Sequence, residues 1–326
     1  MELDRPIAPG GRSVLNVFFA TDVHGSNLCW KKFIAAAKFY EAQVLILGGD
    51  MTGKAIVPVV KDARNRYRVE LMEQVTELSS GQELLDMETT IANKGYYPVR
   101  LDTDEMRYYQ ANPDTIDELF NRCVLERVAQ WMEYADGKLA GTGVKCYVCP
   151  GNDDIFEVDE AVRSASSVEL AEGRVIALDD HLSMVSTGWS NRTPWNTHRE
   201  LDESKLQDKL EAYLEPVQSM AQCIFNMHCP AYNCGLDEAP ELDEKMRPKY
   251  AGHVLVPCGS RAVRALIEKY QPLLALFGHI HEGRGTSRLG STLCINPGSS
   301  YEQGVLLGAM VKFEGSKMSD HTLTSG

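Results

Sequence analysis

The stretch LLALFGHIHEGRG, Leu273 to Gly285, decides how the rest of the chain is read. An apolar run stops at Gly278, and two histidines, His279 and His281, follow with one residue between them. In extended backbone, residues i and i+2 point to the same side. Both imidazoles therefore face together, either into water or onto a metal, for which histidine is the commonest side-chain ligand. Choosing between the two requires the remaining ligands.

Similar runs occur upstream. SVLNVFFATDVHG (13–25), AQVLILGGD (42–50), GVKCYVCPGND (143–153) and QCIFNMHCP (222–230) are apolar, rich in β-branched residues, and end in Gly, Asp, Asn or His. They read as buried strands whose C-terminal loops carry polar groups. STLCINPGS (291–299) and VLLGAMVKF (305–313) read as two more strands, and residues 174–188 as a hairpin turning at Asp179–His181. Helical spacing lies between them: Trp30, Phe33, Ile34 and Ala37; Leu206, Leu210 and Leu214; Val263, Leu266, Ile267 and Tyr270, the last set preceded by Ser260 as N-cap. Strands alternating with helices predict an α/β layered fold. Ligands in such sheets bind beyond the C-terminal strand ends.

Residues 52–142 differ, with many charges and few long apolar runs. AIVPVV and YRVEL pair as a hairpin around KDARN, Pro58 being tolerated on an edge. Residues 82–94 and 114–139 read as helices, the second with Leu119, Val124, Val128 and Trp131 inward. The expectation is one domain over 1–326 with an insertion or lid at 52–142, and a frayed tail after Glu314.

The bulk numbers exclude several classes. Net charge is −13, which repels duplex nucleic acid and makes a large nucleic-acid footprint unfavourable. No apolar run approaches membrane-spanning length. The opening MELDRPIAPGGRS lacks the apolar core of a secretory signal, so the nine cysteines are expected reduced, in a cytoplasmic protein. CYVC (Cys146, Cys149) and HCPAYNC (Cys229, Cys234) read as buried thiols.

The polar residues at the strand ends are Asp22 and His24, Asp50, Asn152 with Asp153 and Asp154, His228, and His279 with His281. Each alone has a bland explanation, such as a turn or a core histidine. Five strand ends yielding the same class of residue point to a shared centre. Mixed nitrogen and oxygen donors without thiolate suit Mn, Fe, Zn, Co or Ni, with Mn or Fe favoured. Asp22, His24, Asp50, Asn152, His228, His279 and His281 exceed what one tetrahedral ion takes, and suit a pair of divalent or trivalent ions bridged by Asp50.

In kind and order these motifs resemble the calcineurin-like metallophosphoesterases: D-x-H at Asp22-Val23-His24, G-D at Gly49-Asp50, G-N at Gly151-Asn152, His228, and G-H-x-H at Gly278-His279-Ile280-His281. WSNRTPWNTHREL (189–201), HCPAYN (228–233) and INPGS (295–299) resemble a prokaryotic branch of uncharacterised phosphoesterases within that family. The resemblance implies a four-layer α/β/β/α sandwich. It also implies one ion on Asp22, His24, Asp50 and His281 and another on Asp50, Asn152, His228 and His279. One position departs: members usually follow G-N with a histidine that helps the leaving group, and here Asp153 stands there.

The expected chemistry is phosphoester hydrolysis by a metal-bridging hydroxide attacking phosphorus in line. Asp50, Asn152, Asp153 and His228 are the candidate catalytic residues; Arg192, His253 and Arg284 are candidates for substrate binding. A carboxyl beside two cations is a poor general acid at neutral pH. Phosphodiesters are therefore expected over alkyl monoesters. The alternatives are a phosphomonoesterase or cyclic-nucleotide phosphodiesterase and, from another class, a non-catalytic metal-binding scaffold. The expected partner is a small phosphorylated substrate, with no membrane and with homo-oligomer formation open.

Overall fold

The structure, a computed structural model, describes residues 14–326. The leader reading of MELDRPIAPGGRS lies outside the described residues.

Two six-stranded sheets form the body. The first runs, in spatial order, β20 (Lys317–Ser325), β19 (Leu307–Glu314), β1 (Val14–Ala20), β2 (Val44–Leu47), β7 (Lys145–Val148) and β8 (Glu169–Leu170). The second runs β17 (Gly285–Leu289), β18 (Thr292–Asn296), β16 (Leu274–Leu276), β13 (Cys223–Met227), β10 (Ser183–Thr187) and β9 (Val175–Ala177). β1, β2, β7 and β8 are parallel, as are β10, β13, β16 and β18.

Period-two alternation sorts the side chains of each central strand. From β1 and β2, Val17, Phe19, Val44 and Ile46 meet Ile224, Leu274 and Ile295 of the other sheet in a shared inner core. Phe18, Ala20, Leu45 and Leu47 face outward onto α1 (Asn27–Phe39), α4 (Asp114–Leu139) and α5 (Val158–Arg163). Trp30 of α1 stacks on Trp131 of α4 with ring centroids 4.9 Å apart. On the far side Phe225, Ala275 and Phe277 meet α6 (Glu203–Leu214) and α7 (Arg261–Tyr270), whose N-cap Ser260 accepts from Val263 N. Burial of both faces is why these strands read as continuous apolar runs. The result is a four-layer α/β/β/α sandwich of the metallophosphoesterase type.

Between β2 and β7 the chain builds a separate four-stranded sheet, β5 (Gln74–Leu78), β4 (Tyr67–Leu71), β3 (Ile56–Lys61) and β6 (Tyr97–Asp102), with α2 (Gln82–Asn93) and α3 (Thr103–Ala111). Its own core is small: Val57, Val59, Val69, Leu84 and Ile91. Two ribbons complete the fold, β11 (Ser190–Asn191) with β12 (Glu200–Leu201), and β14 (Glu238–Pro240) with β15 (Leu255–Pro257).

Two expectations fail. Pro58 is not on an edge strand, because β3 lies between β4 and β6. It lies beyond the β4 ladder, which takes only Val59 to Lys61, and stands opposite Val99 in the parallel ladder with β6. The tail after Glu314 is not frayed: β20 pairs with β19 along its length. Its hydroxyls and charges suit an edge strand with one wet face, while Met318 and Leu323 pack against the inner core.

Candidate metal centre

The C-terminal ends of five parallel strands meet at one rim. The first sheet brings Asp22 and His24 after β1, Asp50 after β2 and Asn152 after β7. The second brings His228 after β13 and His279 with His281 after β16. Carboxylates therefore come from one sheet and three of the imidazoles from the other. The loops are zipped together beyond the strands by Asp22 N to Gly49 O (2.9 Å), His24 N to Asp50 O (3.0 Å) and Gly278 N to His228 O (2.9 Å). Asp22, His24, Asp50 and His279 all have positive φ, between 38° and 64°. Non-glycine residues rarely adopt that region, and such strain collects at functional sites.

Two groups of donor atoms result, Asp22 with His24 and His281, and Asp50 with His228 and His279, each within 4.8 Å of one another. His24 Nε2 lies 3.8 Å from both Asp22 Oδ1 and Asp50 Oδ2, which joins the groups. Asn152 Oδ1 is 3.0 Å from His228 Nε2, which lies 3.3 Å from Asp50 Oδ1. All seven predicted metal ligands are thus brought together.

Four of the donors already carry the protonation a metal pair requires, and His228 does not. Burial first, then Lys54, holds His24 down at about 3, and burial holds His279 down at about 4, so both are neutral. Burial would raise Asp22 and Asp50, but neighbouring imidazoles outweigh it and keep both ionised. Burial also opposes the charged form of His228, yet the Asp50 carboxylate lifts it to about 9: a proton sits where a cation would satisfy the same oxygens. His24 Nε2 and His281 Nε2 face each other at 3.0 Å, and buried His24 Nδ1 has no hydrogen-bond partner. Two imidazole nitrogens facing each other at 3.0 Å suit a cation taken up by both lone pairs. The residues fit a dinuclear metal-binding site.

Other polar groups hold the loops. Asp154 is fully buried and accepts from Met51 N (3.0 Å), Thr52 N (2.8 Å), Thr52 Oγ1 (2.6 Å) and Gly151 N (2.7 Å), tying the Asp50 loop to the Asn152 loop. Buried Arg199 donates to Gly151 O and Asp154 O and pairs with Asp159 at 2.6 Å. Asn296 Nδ2 reaches Ile280 O at 3.0 Å, which gives INPGS its role in shaping the GHIH turn. The glycine before Asn152 has a steric reason: a Cβ on Gly151 would stand 2.1 Å from Asp50 Oδ1.

Lys54 and Tyr301 are absent from the sequence-based site. Lys54 Nζ lies 3.2 Å from Asp153 Oδ2, and the Tyr301 ring is 4.8 Å from that of His24. DMTGK (50–54) held a signal for Lys54, a cation shortly after a ligand aspartate. Burial and then Asp50 push Asp153 up to about 6, against Lys54. The lowering expected of it rested on bound cations, which act in the same sense as Lys54.

The substrate-binding candidates are engaged elsewhere or exposed. Arg192 is exposed and pairs with Asp202 at 3.2 Å. His253 is exposed just before β15. Arg284 spends donors on Pro297 O (2.6 Å) and Thr324 O (3.1 Å), fastening its loop to β20. Cys146, Cys149, Cys229 and Cys234 are buried free thiols, as expected.

The four-stranded sheet touches this rim through glycine. A Cβ on Gly53 would lie 2.0 Å from Gly95 O, and one on Gly95 would lie 2.2 Å from His24 O. Tyr97 OH accepts from Gly53 N at 2.8 Å, and Arg127 Nη1 donates to Gly25 O at 2.8 Å.

No family model matches the chain. The uncharacterized protein MJ1162 of Methanocaldococcus jannaschii is 30% identical over 176 residues, 53% of this chain and 69% of that protein. The crystal structure of TT1561 of Thermus thermophilus superposes with a TM-score of 0.51 at 12% identity, covering 96% of this chain and 99% of that one. A second crystal structure gives a TM-score of 0.53 at 14% identity over 95% and 98%. At such identities the likeness shows the fold. Among the described residues no helix is long and apolar enough to cross a membrane.

Proposed function

We propose, for a chain that belongs to the same family as the uncharacterized M. jannaschii protein MJ1162, a dinuclear metal-dependent phosphoester hydrolase that favours phosphodiesters. The observation that carries this reading is the pair of adjacent donor groups, Asp22–His24–His281 and Asp50–His228–His279, within reach of each other across the rim. Asp22, His24, Asp50 and His281 would hold one ion, and Asp50, Asn152, His228 and His279 the other, with Mn or Fe favoured. When bound, the ions supply an acidified water and neutralise charge on the phosphoryl oxygens.

The protein's own groups do the rest. Asp50 spans both positions with its two oxygens, and Asp153 N fixes it by donating to Oδ1 at 3.1 Å. Asn152 is aimed by Thr197 Oγ1, which accepts from Nδ2 at 2.7 Å. No imidazole follows Asn152; Asp153 stands there, paired with Lys54. Ions bound beside it would add to the pull of Lys54 and hold the Asp153 carboxyl ionised, so a leaving group would receive little acid help near pH 7 and esters with good leaving groups would turn over best. This supports diesters and aryl esters over alkyl monoesters. We also read the chain as one domain in which residues 52–142 form an insertion over the rim, acting in the cytoplasm on a small phosphorylated substrate.

Asp50→Ala tests the reading. Metal content by mass spectrometry should fall from two ions to one or none, and diester turnover by about 10³-fold or more. Retention of both ions and full rate would overturn it.

A further inference from the structure

Beside the metal rim lies a cleft of about 540 Å³ that the hydrolytic chemistry does not use. Its walls come from β3, α3 and the start of α4: Ile56, Met106, Tyr109, Ile116 and Phe120, with Lys54 at one end. Lys54 also stands in the metal region, its Nζ 3.2 Å from Asp153 Oδ2. Asp153, His24 and Asp50 in turn offer donor atoms within 4.8 Å of one another. One cation therefore separates a polar centre from an apolar recess.

We propose that this cleft binds the organic group of the phosphoester and that Lys54 positions the phosphate between cleft and metal centre. The proposal rests on the phosphoesterase reading and adds the substrate class: phosphoesters of an aromatic or similarly bulky apolar alcohol. The volume falls in the range of small-molecule sites, and its wall of apolar side chains with few polar groups matches their usual lining. A cavity of about 150 Å³ accommodates one benzene ring, so this recess has room for a fused-ring group and gains nothing from a methyl. The Lys54 ammonium complements an anion, not an apolar group, and so fixes which end of the ester lies where. Lys54 is a positioning residue, with Asp153 holding its ammonium until the phosphate arrives.

The test measures binding, not turnover. Full-length protein loaded with manganese is titrated calorimetrically with 1-naphthylphosphonate and with methylphosphonate, whose carbon–phosphorus bonds are not hydrolysed. The wild type should prefer the naphthyl compound at least tenfold. Ile116→Trp and Met106→Trp fill the cleft from α4 and α3, and each should cut that preference at least fivefold. Lys54→Met should weaken both anions at least fivefold and leave their ratio within twofold. No preference in the wild type, or a smaller drop in either cleft variant, overturns the cleft assignment; unchanged affinity in Lys54→Met overturns the role of Lys54. Hydrolysis of an aryl phosphodiester is followed alongside. Preference without hydrolysis removes the phosphoesterase reading and keeps the cleft, whereas hydrolysis without preference removes the cleft alone.

Discussion

The two-sheet sandwich and the four-stranded sheet of β3 to β6 solve the same packing problem at different scale. In the sandwich, inner strands are covered on both faces, and Phe19, Ile46, Ile224 and Leu276 have no exposed surface. In the smaller sheet the core is five residues around Val59 and Ile91, and α3 has no buried residue at all. Local stability follows buried apolar area. The rigid half therefore carries the metal donors, and the cleft lies at the seam, walled by β3 and α3 of the softer half and by the start of α4 from the sandwich.

The strongest way to break this contrast is to attack the sandwich at Asp154. Asp154→Ala leaves three buried backbone N–H groups without their acceptor. It should cost about 3–5 kcal/mol in denaturant unfolding and loosen both metal loops at once. A cost under about 1 kcal/mol would show that the loops do not depend on it. Next in size, Ile91→Ala in the smaller sheet should cost about 2–4 kcal/mol, confined to that sheet. Hydrogen exchange should speed up in β3 to β6 and α2 while β1, β2 and β13 keep their protection and metal content stays intact. Faster exchange in β1 would mean the two halves unfold as one.

A smaller effect sharpens the role of His228. Its proton, retained up to about pH 9 by Asp50, must leave before the ring can bind an ion. Apparent metal affinity should rise by about tenfold per pH unit on approach to that value and level off above it. Calorimetry in buffers of different ionisation enthalpy should count the released proton, and affinity independent of pH would remove His228 from the ligand set. Smallest is Glu88→Ala, which deletes the Arg100 pair at 2.5 Å on the smaller sheet; with Arg100 half exposed, the loss should be under about 1 kcal/mol. By contrast Arg199, only 1% exposed, pairs with Asp159 inside the sandwich, so Asp159→Ala should cost more than Glu88→Ala.

The same contrast governs what the sequence disclosed. The sandwich strands were legible because burial on both faces writes unbroken apolar runs, and the metal donors because each follows such a run directly. β5, β6 and α3 were not, since a half-wet sheet with a small core leaves a short, mixed pattern: α3 reads TDEMRYYQA and rests on its capping box at Asp102 and Glu105 instead of on a buried face. β20 was missed for the same reason, polar alternation at an edge. Lys54 and Asp154 were invisible as functional groups because their meaning depends on partners about 100 positions away, Asp153 for one and Met51 and Thr52 for the other. The glycine in G-N was visible as a motif letter, but its reason, room for the Asp50 carboxylate, needed coordinates.

At the glycine junction the two halves meet main chain to main chain, with nothing compressible between. Gly53, Gly95 and the carbonyl of His24 press directly on one another. Such a joint resists sliding, because main chain meets main chain with no side chain to yield. Any opening of the cleft would swing its walls about a point already seated on the metal loop. A single methyl at Gly53 would strike Gly95 O, and one at Gly95 would strike the His24 carbonyl, so either acts as a wedge that bears on the metal loop and the recess together.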